Sequence, residues 1–194
     1  MLAHLTTVTR SVRAEGRSSK TELLVPPIVF VTGIVVGWAS LSDSHVLGSG
    51  DWVTAKQSAS ADVLLHILGR NLSVLLLMFS GACTLGFSTV LGLGLLSTYV
   101  GATFGVAAAN VGVADALSSV MLYAPVEFAG LLLAATAGLM PVTALVRAAF
   151  AESSRIRPVA SYVAALRPAL LYLCYSLVLI AVSGGIETVV ILSR

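Results

Sequence analysis

The sequence predicts an all-α, polytopic membrane protein of about five transmembrane helices, and three observations carry that expectation. First, 57% of the 194 residues are hydrophobic and 10% are charged, whereas a soluble domain carries about 25% charged residues. Second, a mean hydropathy of +0.98 means more apolar surface than a water-soluble globule of this size can hide. Third, the apolar runs are continuous and long. Backbone polar groups find no water in a bilayer, so spanning segments are helices or closed barrels. Barrel strands alternate apolar and polar residues, so these unbroken runs predict helices.

A span needs about 20 mostly apolar residues. By that measure the spans cover residues 24–39, 63–81, 87–109, 117–146 and 168–192. Pro26 and Pro27 are expected in the first turn of the first span, where missing donors do little harm. Residues 1–22 form a basic segment with Leu2, Leu5, Val8 and Val12 at helical spacing. They read either as a helix lying on the membrane surface or as an unstructured tail. This basic region is too long for a cleavable signal, so the first span reads as a retained anchor. Residues 23–194 then form the transmembrane domain, with an outer loop over 40–61 and a basic loop over 147–167.

Arginine and lysine set the direction, because cytoplasmic loops hold their excess. Arg10, Arg13, Arg17 and Lys20 precede the first span, and Arg147, Arg155, Arg157 and Arg167 lie between the last two. With five spans these eight share one side, while Lys56, Arg70 and Arg194 fall opposite with Asp43, Asp51, Asp62 and Asp115. The expected topology is N-terminus cytoplasmic and C-terminus outside. The net charge of +2 gives no reason to expect nucleic acid as a partner. Cys83 and Cys174 lie in apolar runs and read as small hydrophobes. No spaced Cys/His set suggests zinc, and no cofactor is expected.

Lipid tails are as apolar as leucine, so membrane helices associate through close backbone approach and interhelical hydrogen bonds. Ser97, Gly101, Gly105 and Ala109 place a small residue at every fourth position of the third span, and Gly130, Ala134 and Gly138 do so on the fourth. These stripes are expected to pack within the chain rather than form a dedicated dimer face.

Two acids, Glu127 and Glu187, stand inside the apolar runs. A carboxylate at a membrane helix centre costs roughly 2.5–3.5 kcal/mol on insertion scales, so its partners matter. At 100° per residue Glu127 shares a face with Tyr123, Gly130, Ala134 and Gly138, and Glu187 with Tyr172, Ser176, Ser183 and Gly184. Pro125 is expected to kink the fourth span or to divide it into two half-helices joined near that residue. Glu127 lies twenty residues before Arg147 and Glu187 twenty after Arg167. Twenty helical residues rise about 30 Å, which puts both acids at the outer hydrocarbon boundary. Asn71 and Arg70 arrive at the same level, with His66 about a turn further out. The expected site is an outer-leaflet cluster of Asn71, Tyr123, Glu127 and Glu187, with Arg70 as counter-ion. It serves either to fix helix register or to bind or gate. Catalysis is the weaker reading, because no nucleophile is paired with a base. The Asn71-Leu72-Ser73 sequon is read as chance at a span end.

Residues 63–192 resemble the stage II sporulation protein M family. Its second span typically opens with an Asn pair followed by spaced glycines, matched by Arg70-Asn71 and then Gly86, Thr89 and Gly101. Its His-Gly-x-x-Glu segment corresponds to Tyr123-Ala124-Pro125-Val126-Glu127, and its small-residue stretch to Ala134-Ala135-Thr136-Ala137-Gly138-Leu139. A late glutamate is matched by Gly185-Ile186-Glu187. Tyr123 stands where the family has histidine, and Arg70 replaces one Asn. The resemblance implies a bacterial cytoplasmic (inner) membrane protein that assembles with other envelope proteins without catalysis, as the sporulation member does with peptidoglycan-degrading enzymes. Relatives encoded with circular bacteriocins imply peptide maturation or export instead. The leading expectation is a non-enzymatic membrane component with the cluster as its binding site. The rivals are an export permease served by a separate ATPase and an intramembrane peptide-processing enzyme. Lipid, a peptide substrate and a second copy of the chain complete the expected partners.

Overall fold

The computed structural model describes residues 20–41, 61–151 and 157–192. The helices are α1 (Lys20–Leu41), α2 (Ala61–Phe79), α3 (Phe87–Val111), α4 (Val113–Val120), α5 (Ala124–Ala149) and α6 (Pro158–Leu192), with a single 3-10 turn at Ser80–Ala82. Among the described residues there is no strand, and five of the six helices are long and apolar enough to cross a membrane. The expected all-α, five-span fold is therefore the one observed. The surface helix or tail expected before residue 20, most of the outer loop and residues 152–156 of the basic loop lie outside the described residues.

Three boundaries differ from expectation, and proline chemistry explains two of them. The fourth span begins at Ala124 rather than near 117, because residues 113–120 form the separate helix α4 and residues 121–123 a turn. Pro125 therefore stands in the first turn of α5 instead of kinking a longer helix. It has no N–H to donate to Met121, and that omission is free only at a helix start. The last span begins at Pro158, also at a helix start, and Pro168 is carried inside α6. Arg167 thus belongs to the helix rather than to the loop before it. Helix α1 begins at Lys20, so Pro26 and Pro27 lie inside it and Glu22 lies in its first turn.

Two helix pairs carry most of the packing, α1 against α3 and α5 against α6, with α2 touching both pairs. Ser97, Gly101 and Gly105 are buried on α3, but the fourth small residue on the buried face is Ala108, not the exposed Ala109. Gly33 and Gly37 of α1 face Ser97 and Thr98 across this seam. On α5 every residue from Ala134 to Pro141 is buried, and Gly130 meets Leu179 and Ile180 of α6. Gly138 lies against the Met78 carbonyl of α2. Phe30, Leu75, Met78, Leu93, Leu131, Ala134 and Ile180 form the central cluster. Large apolar side chains such as Ile28, Val31, Leu65, Leu76, Leu95 and Val178 point outward, as they do where the solvent is lipid.

Gly112, at φ 88°, is the hinge between α3 and α4. A positive φ is readily reached only without a Cβ. The bend lays α4 across one end of the bundle, with Ala116 buried beneath it and Val113 and Leu117 turned outward.

Candidate functional site

Beside α4 the helices leave a cavity of about 560 Å³, within the usual range of about 300–1,000 Å³ for small-ligand pockets. Helix periodicity delivers its walls. On α2, Ile67, Asn71 and Val74 fall at i, i+4 and i+7; on α5, Glu127 and Leu131 follow Tyr123 at i+4 and i+8. All six line the cavity, joined by His66, Arg70 and Glu187 at its polar side. Its apolar side includes Leu96, Val100 and Phe104 of α3 and Phe128 of α5. Phe128 is held by Phe30 of α1, with ring centroids 5.0 Å apart. Ala116, Ser119 and Val120 of α4 close the end.

Helix α6 is pinned in register by two serines. Ser176 Oγ donates to the Gly130 carbonyl at 2.6 Å, and Ser183 Oγ to the Tyr123 carbonyl at 3.3 Å. Glu187 lies one turn beyond Ser183, which sets it near Glu127. The five residues singled out from the sequence, Arg70, Asn71, Tyr123, Glu127 and Glu187, therefore surround one cavity. Tyr172 is not among them: it packs lower, against Ala137, Met140 and Ala169.

The described residues do not neutralise the charges at this site by contact. Glu127 is within electrostatic range of Glu187 and Arg70, and Arg70 also acts on Glu187. Among the described residues, however, no ion pair within 4.0 Å joins Arg70 to either acid. Asn71 is 8% exposed, and its Nδ2 has no hydrogen-bond partner. A buried, unpaired amide costs about 1–3 kcal/mol. Asn71→Leu is accordingly expected to stabilise the protein by about 1–2 kcal/mol, read as a higher thermal unfolding temperature in detergent. An unchanged or lowered midpoint would show that the amide is paired in solution.

The sequence reading missed a second buried acid site at the opposite end. Glu22 is 1% exposed and accepts hydrogen bonds at Oε1 from Thr143 Oγ1 and Arg147 Nη2, each at 2.6 Å. Among the described residues, the acids inside the spans are therefore three. A signal was present, because the arginine count puts Glu22 and Arg147 at the same membrane face. It was obscured by reading residues 1–22 as lying outside the first span. At this end the Tyr162 hydroxyl also donates to the Ala82 carbonyl.

Chemically, the cavity offers two carboxylates, one guanidinium and one free amide donor above an apolar floor. Among the described residues no three His, Cys, Asp or Glu side chains are grouped to hold a metal. Both cysteines are free and exposed.

Residues 27–190 match the family model described as Stage II sporulation protein M. The match reaches back to include most of α1, beyond the 63–192 region whose motifs resemble the family. No curated protein and no solved structure gives a match. With most of its length covered, the chain belongs to the stage II sporulation protein M family.

Proposed function

We propose that this integral membrane member of the family is a non-enzymatic component that assembles with protein partners of the cell envelope or of peptide maturation and export. Its recognition site is the cavity at the α4 end. The observation that carries this reading is a cavity walled by side chains whose bonding capacity is unspent: Asn71 Nδ2 is buried without a partner, and Arg70 stands apart from both acids. Buried polar groups in folded proteins are nearly always satisfied, so an exception calls for an explanation, and a bound partner is one that fits here. The distribution of arginines supports a placement of this end on the outer side of the cytoplasmic membrane.

Assembly is preferred to permeation because the hydroxyls below the cavity are committed to backbone carbonyls. Ser176 bonds Gly130, Thr136 bonds Leu132 and Ser97 bonds Leu93. Beneath Glu127, α5 presents the wholly buried stretch Ala134–Pro141, in which Thr136 is the one polar side chain.

The test is copurification with crosslinking from cells, comparing wild type with Glu127→Gln and Glu187→Gln. Both variants keep the side-chain shape and remove the charge, so partner recovery is expected to fall while expression is retained. Full recovery of every partner by both variants would reduce the cluster to a structural role.

A further inference from the structure

The site carries an imbalance of charge. Among the described residues, Arg70 is its one formal cation against Glu127 and Glu187, with histidine counted as neutral at pH 7. One negative charge is left over, and Arg70 touches neither acid within 4.0 Å. The buried Asn71 Nδ2 asks for an acceptor in the same cavity. Immediately beyond these groups the wall turns apolar, through Val74, Leu96, Val100 and Leu131. The ligand that answers all three features is a monocation with a neutral acceptor near it and an apolar body.

Depth narrows the choice further. Glu127 stands twenty residues along α5 from Arg147, about 30 Å of helix, and the hydrocarbon core of a bilayer is also about 30 Å thick. The carboxylates therefore lie at a hydrocarbon boundary. This is where a lysine on a membrane helix carries its ammonium, its stem lying along apolar surface. A compact ammonium with three donors can be shared between two carboxylates, whereas the planar guanidinium fork is suited to one.

We propose that the cavity receives a lysine side chain from a partner's membrane-inserted segment. This rests on the reading of the cavity as a recognition site. The ammonium sits between Glu127 and Glu187, a carbonyl of the segment accepts from Asn71 Nδ2, and apolar side chains of the segment cover Val100 and Leu131. Arg70 has a role opposite to that of the acids: it offsets the second carboxylate and keeps the empty site from carrying two uncompensated charges.

The experiment uses the full chain in phosphatidylcholine vesicles, with a single-span leucine/alanine peptide carrying one lysine at its outer-boundary turn and a photo-crosslinker beside it. Replacing that lysine with norleucine is expected to lower crosslinking about tenfold, the value of one charge-assisted hydrogen bond. On the protein, Glu127→Gln or Glu187→Gln is expected to do the same, and Arg70→Gln to strengthen capture severalfold. The opposite sign at Arg70 separates charge balance from a structural role, which would weaken capture in all three variants. Equal capture of the lysine and norleucine peptides by the wild type overturns the proposal. So does loss of lysine dependence when phosphatidylethanolamine replaces part of the phosphatidylcholine, since a lipid amine would then be the occupant. If the proposal fails but both glutamine variants still lose partners in cells, recognition at the cavity stands with another ligand chemistry. If partner recovery is also unchanged, both readings fall.

Discussion

Gly101→Leu is expected to separate α1 from α3 and to cost about 3 kcal/mol or more, beyond the usual range for overpacking. A Cβ built on Gly101 would stand 2.1 Å from the Ile34 carbonyl oxygen, with Ile34 C and Cα both at 2.8 Å. These obstacles are backbone, so no rotamer change relieves them and the helices must move apart. One turn of α1 further on, a Cβ on Gly37 would stand 2.0 Å from the Thr98 carbonyl, so the whole seam is drawn to backbone contact. In lipid this contact cannot be replaced by hydrophobic burial, since an apolar side chain gains nothing by leaving the acyl chains. Gly94 supplies the control within the same helix, because a Cβ there meets nothing within 4 Å. Gly94→Leu is expected to be close to neutral. The comparison is read as midpoints of unfolding in mixed micelles titrated with sodium dodecyl sulfate. Equal midpoints for the two variants would mean that the α1–α3 seam is looser than its geometry.

How much of this was legible before the structure follows from what each signal depends on. Span number depends on composition summed over some twenty positions, and isolated misreadings do not alter such a sum. That Glu127, Glu187, Asn71 and Arg70 belong together is legible because a polar residue in an apolar run declares itself, and the four line one cavity. Helix ends were harder, because they turn on single residues. Pro125 leaves a kink and a division into two helices both open in the sequence, and the structure shows a helix start; Pro168 looks like a start but lies within α6. The same chemistry permits both outcomes, and packing chooses between them. Glu22 failed for another reason: its burial is a property of the pair it makes with Arg147, from a residue 125 positions away. The stripe on α3 was right in period but slipped by one residue at its end, where Ala108 is buried and Ala109 exposed. A helix of 3.6 residues per turn drifts from any strict four-residue repeat.

The Glu22–Arg147 pair is expected to respond very differently to the loss of each partner. Arg147 is 47% exposed at its side chain while Glu22 is 1% exposed, so protein encloses the acid end of the pair and leaves the guanidinium half-open. Arg147→Met removes the guanidinium from a carboxylate buried in the α1–α5 contact, to which the Thr143 hydroxyl still donates. Breaking a buried pair by removing one partner costs about 3–5 kcal/mol. Because water reaches Arg147 and can partly replace it, about 2–3 kcal/mol is expected here. Glu22→Gln keeps the acceptor oxygen for Thr143 and frees a guanidinium that already reaches water, so less than about 1 kcal/mol is expected. The double variant Glu22→Gln/Arg147→Met removes the stranded charge and is expected to recover most of the loss, since replacing both members of a buried pair is often close to neutral. A double-mutant cycle on the unfolding midpoints measures this ordering. Equal costs for the two single variants would place Glu22 in contact with water and remove the basis for calling the pair buried. The expected asymmetry would give Arg147 the role of neutralising the acid that holds the start of α1 against the end of α5, leaving the opposite end of the bundle free to be organised around its cavity.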